Sequence, residues 1–424
     1  MKKVYFEVRV QNSPYDMKSL PILIFAGVFI FSCTQEQNSP SVDPDRIPKH
    51  IQNMDHVSIV NPDNFPTPTI SIQQDRVFSS TEDIYFWGVG SMAVDDQGRL
   101  FIEPAGEMRQ SGILVFNKDG SYETTLGRYG RGPGEFEMIQ DLQVWNNRLY
   151  VLEKFDIHIF NLDDLTLIET FVIDMNSISD RSILRTKRPG EQLYVLNEDS
   201  LILEFVTPLP FKVQTKQDSL YYALINSEGH ISSEPFWRIR AFTFFNITEG
   251  GNLTIPLPFA LPFTRSSQLA IFEENKLYSN WNEEVLIKQF DETGQYQRAL
   301  YMPFQNITLT QEEAYDIAHY EKRIEALKEE TIPASWPAVH RIHTDAENRL
   351  WISTITESDS LFTWYVVDDD FEPVATFNLK GQKRQRAAWH PKDLIIKNDY
   401  LYQIQSTGVR ESGMIIRYNI DWLN

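Results

Sequence analysis

"GRYGRGPGEFEMIQDLQVWNNRLYVLEKFDIHIFNLD" runs from Gly127 to Asp163, and its reading decides the fold. Its first ten residues, Gly127 to Phe136, hold four glycines, a proline, two arginines and a glutamate. A glycine-rich stretch with basic residues cradles a phosphate when it leads into a helix N-terminus, where amides and dipole converge on the anion. Here the glycines lie between strand-like segments, and no Gly-Lys-Ser/Thr ending is present. The better reading is a bend that swings the chain from one sheet to the next. Its glycines are free to take positive φ, and Phe136 fills the space between the sheets. Arg128, Arg131 and Glu135 stay candidates for a ligand contact on one face of the bend.

The pattern just after the bend recurs along the chain. "LQVWNNRLYVLEK" from Leu142 is an apolar strand, a polar turn, and a second strand opening with leucine. The same form appears in "MAVDDQGRLFIEP" from Met92, "RPGEQLYVLNED" from Arg188 and "LAIFEENKLYSNW" from Leu269. It returns in "RIHTDAENRLWIST" from Arg341 and "LIIKNDYLYQIQS" from Leu394. Each is a β-hairpin with turn residues where the chain reverses. A third strand often comes next, as in "GILVFNKDGSYETTLG" and "TWYVVDDDFEPVATF". Six such units predict an all-β fold, a six-bladed β-propeller of four-stranded antiparallel blades.

The anchoring leucines are Leu100, Leu149, Leu193, Leu277, Leu350 and Leu401. Two of the gaps between them are long. The one before Leu350 contains a helical insertion at about 311–330, with Thr310 and Glu313 in capping-box relation. The one within 194–268 either hides a seventh blade, around "ITEGGNLTIPL" from Ile247, or is a long insertion; the insertion is favoured. Its aromatic runs, "PFWRIRAFTFF" and "IPLPFALPF", are expected to pack over one face of the ring. The last unit lacks a fourth strand. A segment at about 69–78, "TISIQQDRVF", is expected to supply it and so close the ring.

The stretch from Gly127 to Asp163 resembles the NHL-type repeat. The matching positions include Gly127, Gly130, Gly132, Pro133, Gly134, Phe136, Leu149, Tyr150, Val151 and Phe160. The run from Met17 to Cys33, "MKSLPILIFAGVFIFSC", has a lysine-bearing start and an apolar stretch too short to span a membrane comfortably. It resembles a bacterial lipoprotein signal. That resemblance implies cleavage before Cys33, lipid on its sulfur, and a mature protein anchored outside the cytoplasm. Met17 is the expected start, because the sixteen residues before it make a poor charged region. The expected organisation is thus a signal over 1–33, a flexible tether over 34–46 and a single propeller domain over 47–424. As a whole the chain resembles the six-bladed β-propeller lipoproteins of the bacterial envelope. That resemblance implies a fold and no single activity.

Composition narrows the function. The 424 residues carry 39 Lys and Arg against 59 Asp and Glu, a formal charge of −20. A nucleic-acid binder needs a basic face, so none is expected. One cysteine excludes a disulfide framework and a thiolate metal site. No cofactor or metal is expected, since the histidines lack metal-ligand spacing. His340 and His343, an odd number of positions apart, are expected on opposite faces of their strand.

A propeller's usual site is the mouth of its channel, where the innermost strands begin. The candidates there are Gln140, Asp141, Arg185, Gln268, His340, Arg341, Trp389 and His390. Arginine and histidine with tryptophan suit an anionic or sugar-like ligand; the plain alternative is the polar lining of a hydrated channel. The expected role is a non-catalytic binding module for a protein, glycan or small-molecule partner. The alternatives are a carbohydrate-active lyase or hydrolase with its site in the funnel, and a structural scaffold for an envelope complex.

Overall fold

The computed structural model holds six antiparallel four-stranded blades, and five of the six expected hairpins fall in them as expected, the exception being "RPGEQLYVLNED", most of which is one strand. The structure describes residues 47–66, 70–82, 84–105, 112–208, 218–232, 234–249, 255–271, 276–384, 393–405 and 413–423. The expectations for the signal, for Cys33 and for the tether lie outside the described residues. Among the described residues no helix is long and apolar enough to cross a membrane.

Blade 1 is Val89–Val94, Leu100–Pro104, Ile113–Phe116 and Tyr122–Leu126. Blade 2 is Ile139–Trp145, Arg148–Glu153, Asp156–Asn161 and Leu167–Val172. Blade 3 is Arg188–Asn197, Ser200–Val206, Ser219–Asn226 and Trp237–Arg240. Blade 4 is Ser267–Ile271, Leu277–Trp281, Val285–Phe290 and Tyr296–Met302. Blade 5 is Val339–Thr344, Leu350–Ile355, Leu361–Val367 and Pro373–Lys380. Blade 6 is Leu394–Lys397, Tyr400–Gln405, Met414–Trp422 and, from the other end of the chain, Ile70–Phe78.

The turns explain the hairpins. Asn146 and Asn147 both have positive φ, as do Asn398 and Asp399. Paired left-handed residues make the tight turn whose twist suits a hairpin, and asparagine and aspartate tolerate that conformation. In blades 1 and 5 one aspartate organises the whole turn. Asp95 accepts the Gln97 and Arg99 amides and pairs with the Arg99 guanidinium. Asp345 does the same with Glu347 and Arg349.

Ring closure matches the expectation. Ile70–Phe78 pairs antiparallel with Met414–Trp422, in register from Ile70 with Trp422 to Phe78 with Ile415. Just before it, Val57–Ile59 adds a fifth, parallel strand to the outer edge of blade 4. Among the described residues the segment 194–268 holds no seventh blade. Ser219–Asn226 and Trp237–Arg240 complete blade 3, and Phe245–Glu249 with Ile255–Phe259 forms a separate two-stranded sheet. Its aromatic flanks are buried, with Phe245, Phe259 and Phe263 packed in one cluster with Trp336 and Trp351.

Two details differ from expectation. The helical insertion is two helices, Gln311–Ala318 and Glu321–Lys328. His319 takes a left-handed φ of 40°, and its amide closes the first helix onto the Tyr315 carbonyl. Leu193 lies in the first strand of blade 3, whereas the other anchoring leucines stand in second strands. The triplet Leu193-Tyr194-Val195 mimics Leu149-Tyr150-Val151 but belongs one strand earlier, and Leu201 takes the second-strand place.

In an up-and-down blade the start of the first strand and the end of the fourth share one edge. The fourth strands therefore end, and the next first strands begin, on one face of the ring, around the channel mouth.

Candidate functional site

The first strands enter the channel through a repeated irregularity. In blade 1 the ladder passes from Val89 to Ser91, in blade 2 from Ile139 to Asp141, and in blade 5 from Val339 to Arg341. The extra residues are Gly90, Gln140 and His340. A bulge bends its strand and re-aims the side chains beside it. Blade 3 carries a wider version, with Gly190, Glu191 and Gln192 set against Glu204.

The bulges bring polar side chains across the seams between blades. Ser91 Oγ donates to Asp141 Oδ1 at 3.2 Å, joining blades 1 and 2. Asp141 Oδ2 accepts the Leu193 amide at 2.9 Å, and Gln140 Nε2 donates to the Gly190 carbonyl at 2.8 Å, joining blades 2 and 3. Gln268 Nε2 donates to the His340 carbonyl at 2.5 Å, joining blades 4 and 5. Arg341 Nε donates to Asp393, on the connection into blade 6, at 3.2 and 3.3 Å.

The seam between blades 3 and 4 is different. Their first strands approach one another less closely than those at any other seam. A cavity of about 250 Å³ occupies the space, slightly below the usual range for small-molecule sites. Tyr222 lines it and belongs to a buried cluster with Tyr194, Trp237 and Leu277. Arg188 and Glu191 are exposed at its rim. Glu204, Gln268 and Arg341 line it from buried positions. Leu220, Ile239, Phe242 and Leu269 give it an apolar wall. Glu204 accepts from the Tyr222 hydroxyl at 3.0 Å and from the Glu191 amide at 3.3 Å. Burial and the nearby Glu204 charge push the Tyr222 hydroxyl well above its usual range, so it stays a donor. Gln268 is 7% exposed, and its Oε1 has no hydrogen-bond donor. A buried carbonyl without a donor carries a desolvation penalty of about 1–3 kcal/mol, which a ligand donor would relieve.

On the far side of this cavity stands a charged cluster of blade 5. The bulge at His340 resets the alternation, so His340 and His343 lie on the same side as Arg341, not on opposite faces. His340 Nδ1 meets Ser353 Oγ at 3.3 Å and its ring stacks on Phe362 at 4.0 Å. His343 stacks on Trp364, two residues further along the same strand. Burial, then the Arg341 charge, lowers the His340 imidazole to about 3. Burial likewise lowers His343 to about 4. Burial alone would raise the Asp393 carboxyl, but the Arg341 charge, the two neighbouring imidazoles and the Arg341 hydrogen bond together hold the group below its usual range. At neutral pH the cluster is therefore two neutral imidazoles beside an Arg–Asp ion pair.

The candidates of the glycine-rich bend hold one another. Arg128–Tyr129 and Glu135–Phe136 form a short parallel pair. Arg128 Nε donates to Glu135 at 2.7 Å, and Arg131 Nε to Glu137 at 2.6 Å. Both arginine side chains are about 80% exposed, at 79% and 84%. Glu135 Oε2 accepts the Gly132 amide, and Glu153 accepts the amides of Glu137 and Met138. Gly127 has φ +71°, and a Cβ there would meet the Phe136 ring at 2.3 Å. Phe136 is buried between blades 1 and 2, against Phe101, Leu149 and Val151. Full burial of such a ring contributes roughly 1.5–3 kcal/mol.

The structure thus brings Gln268 and Arg341 into one cavity, with His340 and Asp141 in the neighbouring bridges. Arg185 sits apart, in the 3₁₀ turn Ile183–Thr186, exposed and paired with Asp180 at 2.6 Å. Trp389 and His390 lie outside the described residues. The sequence reading missed Arg188, Glu191, Gln192 and Glu204, because it placed blade 3 one strand out of step. The signal that could have found them is "SLILEF" from Ser200, a second strand in its own right. Among the described residues no group of three or more His, Cys, Asp or Glu is arranged to hold a metal ion.

The family DUF5128, described as a 6-bladed beta-propeller, matches residues 80–233. No curated protein matches the chain. Among solved structures, it is similar to a DUF4221 family member from Bacteroides vulgatus, at 11% identity and TM-score 0.48, covering 84% of this chain and 99% of that one. It is similar to a candidate exported protein of Bacteroides fragilis, at 11% identity and TM-score 0.44, over 86% and 99% of the two chains. It is also similar to virginiamycin B lyase from Staphylococcus aureus, at 11% identity and TM-score 0.36, over 82% and 99%. Such distant likenesses say nothing of what this chain binds. The family match and the six antiparallel four-stranded blades together make the chain a six-bladed β-propeller.

Proposed function

We propose that this propeller is a non-catalytic binding module, lipid-anchored through Cys33 outside the cytoplasm, and that its ligand sits between blades 3 and 4. One observation carries the reading. The seam that opens into a cavity is lined by a buried acceptor, Gln268 Oε1, that lacks a donor. A small ligand with hydrogen-bond donors and an apolar part fits such a site. The enzyme alternative would draw on His340, His343 and Arg341. Imidazoles lowered to about 3 and 4 are poor proton acceptors at neutral pH, which weighs against it.

A thermal-shift screen of metabolites and glycans tests the reading, with Ser267→Trp as the control that fills the cavity. A ligand that stabilises the protein and loses its effect in Ser267→Trp supports it. A ligand whose effect survives that substitution places the site elsewhere. For the anchor, Cys33→Ala should move the protein out of the membrane fraction; unchanged fractionation refutes lipidation there.

A further inference from the structure

We infer that the ligand of this cavity is a small zwitterion of the α-amino-acid type with an apolar side chain, an inference that rests on the cavity being the binding site. Four features point to it together. The first is Arg188, a guanidinium at the rim with no side-chain partner among the described residues. An exposed, uncommitted guanidinium in a fixed strand suits a carboxylate, which it can grip through two parallel hydrogen bonds. The second is Glu191, three residues along the same strand, whose carboxylate likewise has no side-chain partner among the described residues. Opposite charges so placed at one rim match a ligand that carries both signs.

The third is Gln268 Oε1. It is a buried acceptor that lines the cavity, and its own amide nitrogen is committed to the His340 carbonyl. That commitment fixes the orientation of the amide, so the oxygen cannot swap places with the nitrogen. The ligand atom facing it must be a donor. With the Glu191 carboxylate at the rim of the same cavity, the site favours a donor with positive charge, an ammonium. The fourth is the wall of Leu220, Ile239, Phe242 and Leu269, which offers a place for an apolar side chain. Arg341 does not alter this balance, because Asp393 neutralises it. The ligand therefore lies with its carboxylate toward Arg188, its ammonium toward Glu191 and Gln268, and its side chain on the wall. A volume of about 250 Å³ suits a single residue and excludes a long peptide.

The test is calorimetric titration of the protein with leucine, N-acetyl-leucine, leucinamide, N-acetyl-leucinamide and glucose. Leucine should bind, and blocking either end should weaken binding tenfold or more. Arg188→Gln should bring leucine and leucinamide to similar affinities; Glu191→Gln should narrow the gap between leucine and N-acetyl-leucine. Both substitutions are at exposed positions, and unchanged melting temperatures confirm that each variant is folded. Equal binding of leucine and its doubly blocked form overturns the inference, as does no binding of leucine. Glucose binding that Ser267→Trp abolishes overturns the zwitterion while leaving the cavity as the site. Leucine binding that Ser267→Trp leaves intact removes the site itself.

Discussion

The seam between blades 1 and 2 and the seam between blades 3 and 4 solve the same packing problem in opposite ways. At the first, the glycine-rich bend folds back on itself, Phe136 fills the gap, and Ser91 reaches Asp141. At the other, the connection from 241 to 266 carries its own hairpin, the first strands stand apart, and a cavity is left. The short bend leaves no room between blades 1 and 2, whereas the connection 241–266 supplies part of the wall of the cavity through Phe242 and Pro258. Length alone does not open a seam, since the longer connection 303–338 leaves blades 4 and 5 bridged by Gln268 and His340. In this ring the candidate site lies where a seam is incomplete.

The largest expected effect concerns a closed seam that depends on buried charge. His340 and His343 are lowered to about 3 and 4, against 6.5 when unfolded. A depressed histidine keeps its full stability above the unfolded value and loses it as pH falls toward the folded one, because the unfolded state binds the proton first. At 1.36 kcal/mol per pH unit for each ring, stability should fall by on the order of 4 kcal/mol between neutral pH and pH 5. Urea melts across that range check this. A flat profile would mean that the blade 5–6 seam is open to water, like the cavity.

Gly127→Ala should cost about 2–4 kcal/mol, from a left-handed alanine and a Cβ driven into Phe136. A loss below about 0.5 kcal/mol would show that the bend gives way easily, and the contrast between the seams would weaken. The smallest effect compares a bridging residue of the closed seam with one that lines the cavity. Ser91→Ala should cost about 1–2 kcal/mol, since it removes a donor from buried Asp141. Gln268→Met should cost less, within about 1 kcal/mol, since it removes an acceptor without a donor along with the bridge. If Gln268→Met proved the more destabilising in thermal melts, the bridge from Gln268 to blade 5 would outweigh that from Ser91 to Asp141, and Gln268 would count as a structural residue rather than a binding one.

Much of the ring was legible in the sequence because hairpin turns are local chemistry. Asn146–Asn147 and Asn398–Asp399 announce their turns through the residues that tolerate positive φ. Closure by Ile70–Phe78 was legible by subtraction, from a last blade one strand short. The site was legible only in part. Gln268 and Arg341 sit at strand starts and were found as such. Arg188, Glu191 and Glu204 were hidden because Leu193-Tyr194-Val195 imitates a second strand. The shared side of His340 and His343 was hidden because one bulged residue reverses the count of alternating faces, and no residue type marks that bulge.

The strand Ile70–Phe78 also sets an order of events. It meets a partner 352 positions away, from Ile70 to Trp422 (422 − 70), so it cannot pair until almost the whole chain exists. Bringing such distant ends together costs about 3 kcal/mol more than closing a ten-residue loop. The other five blades are built from consecutive strands and can form as they emerge, whereas the sixth waits as an unpaired edge of nine residues. The last pairing is then a latch on a ring already assembled. Anything that delays the C-terminal strand leaves a β-edge free to seek the wrong chain.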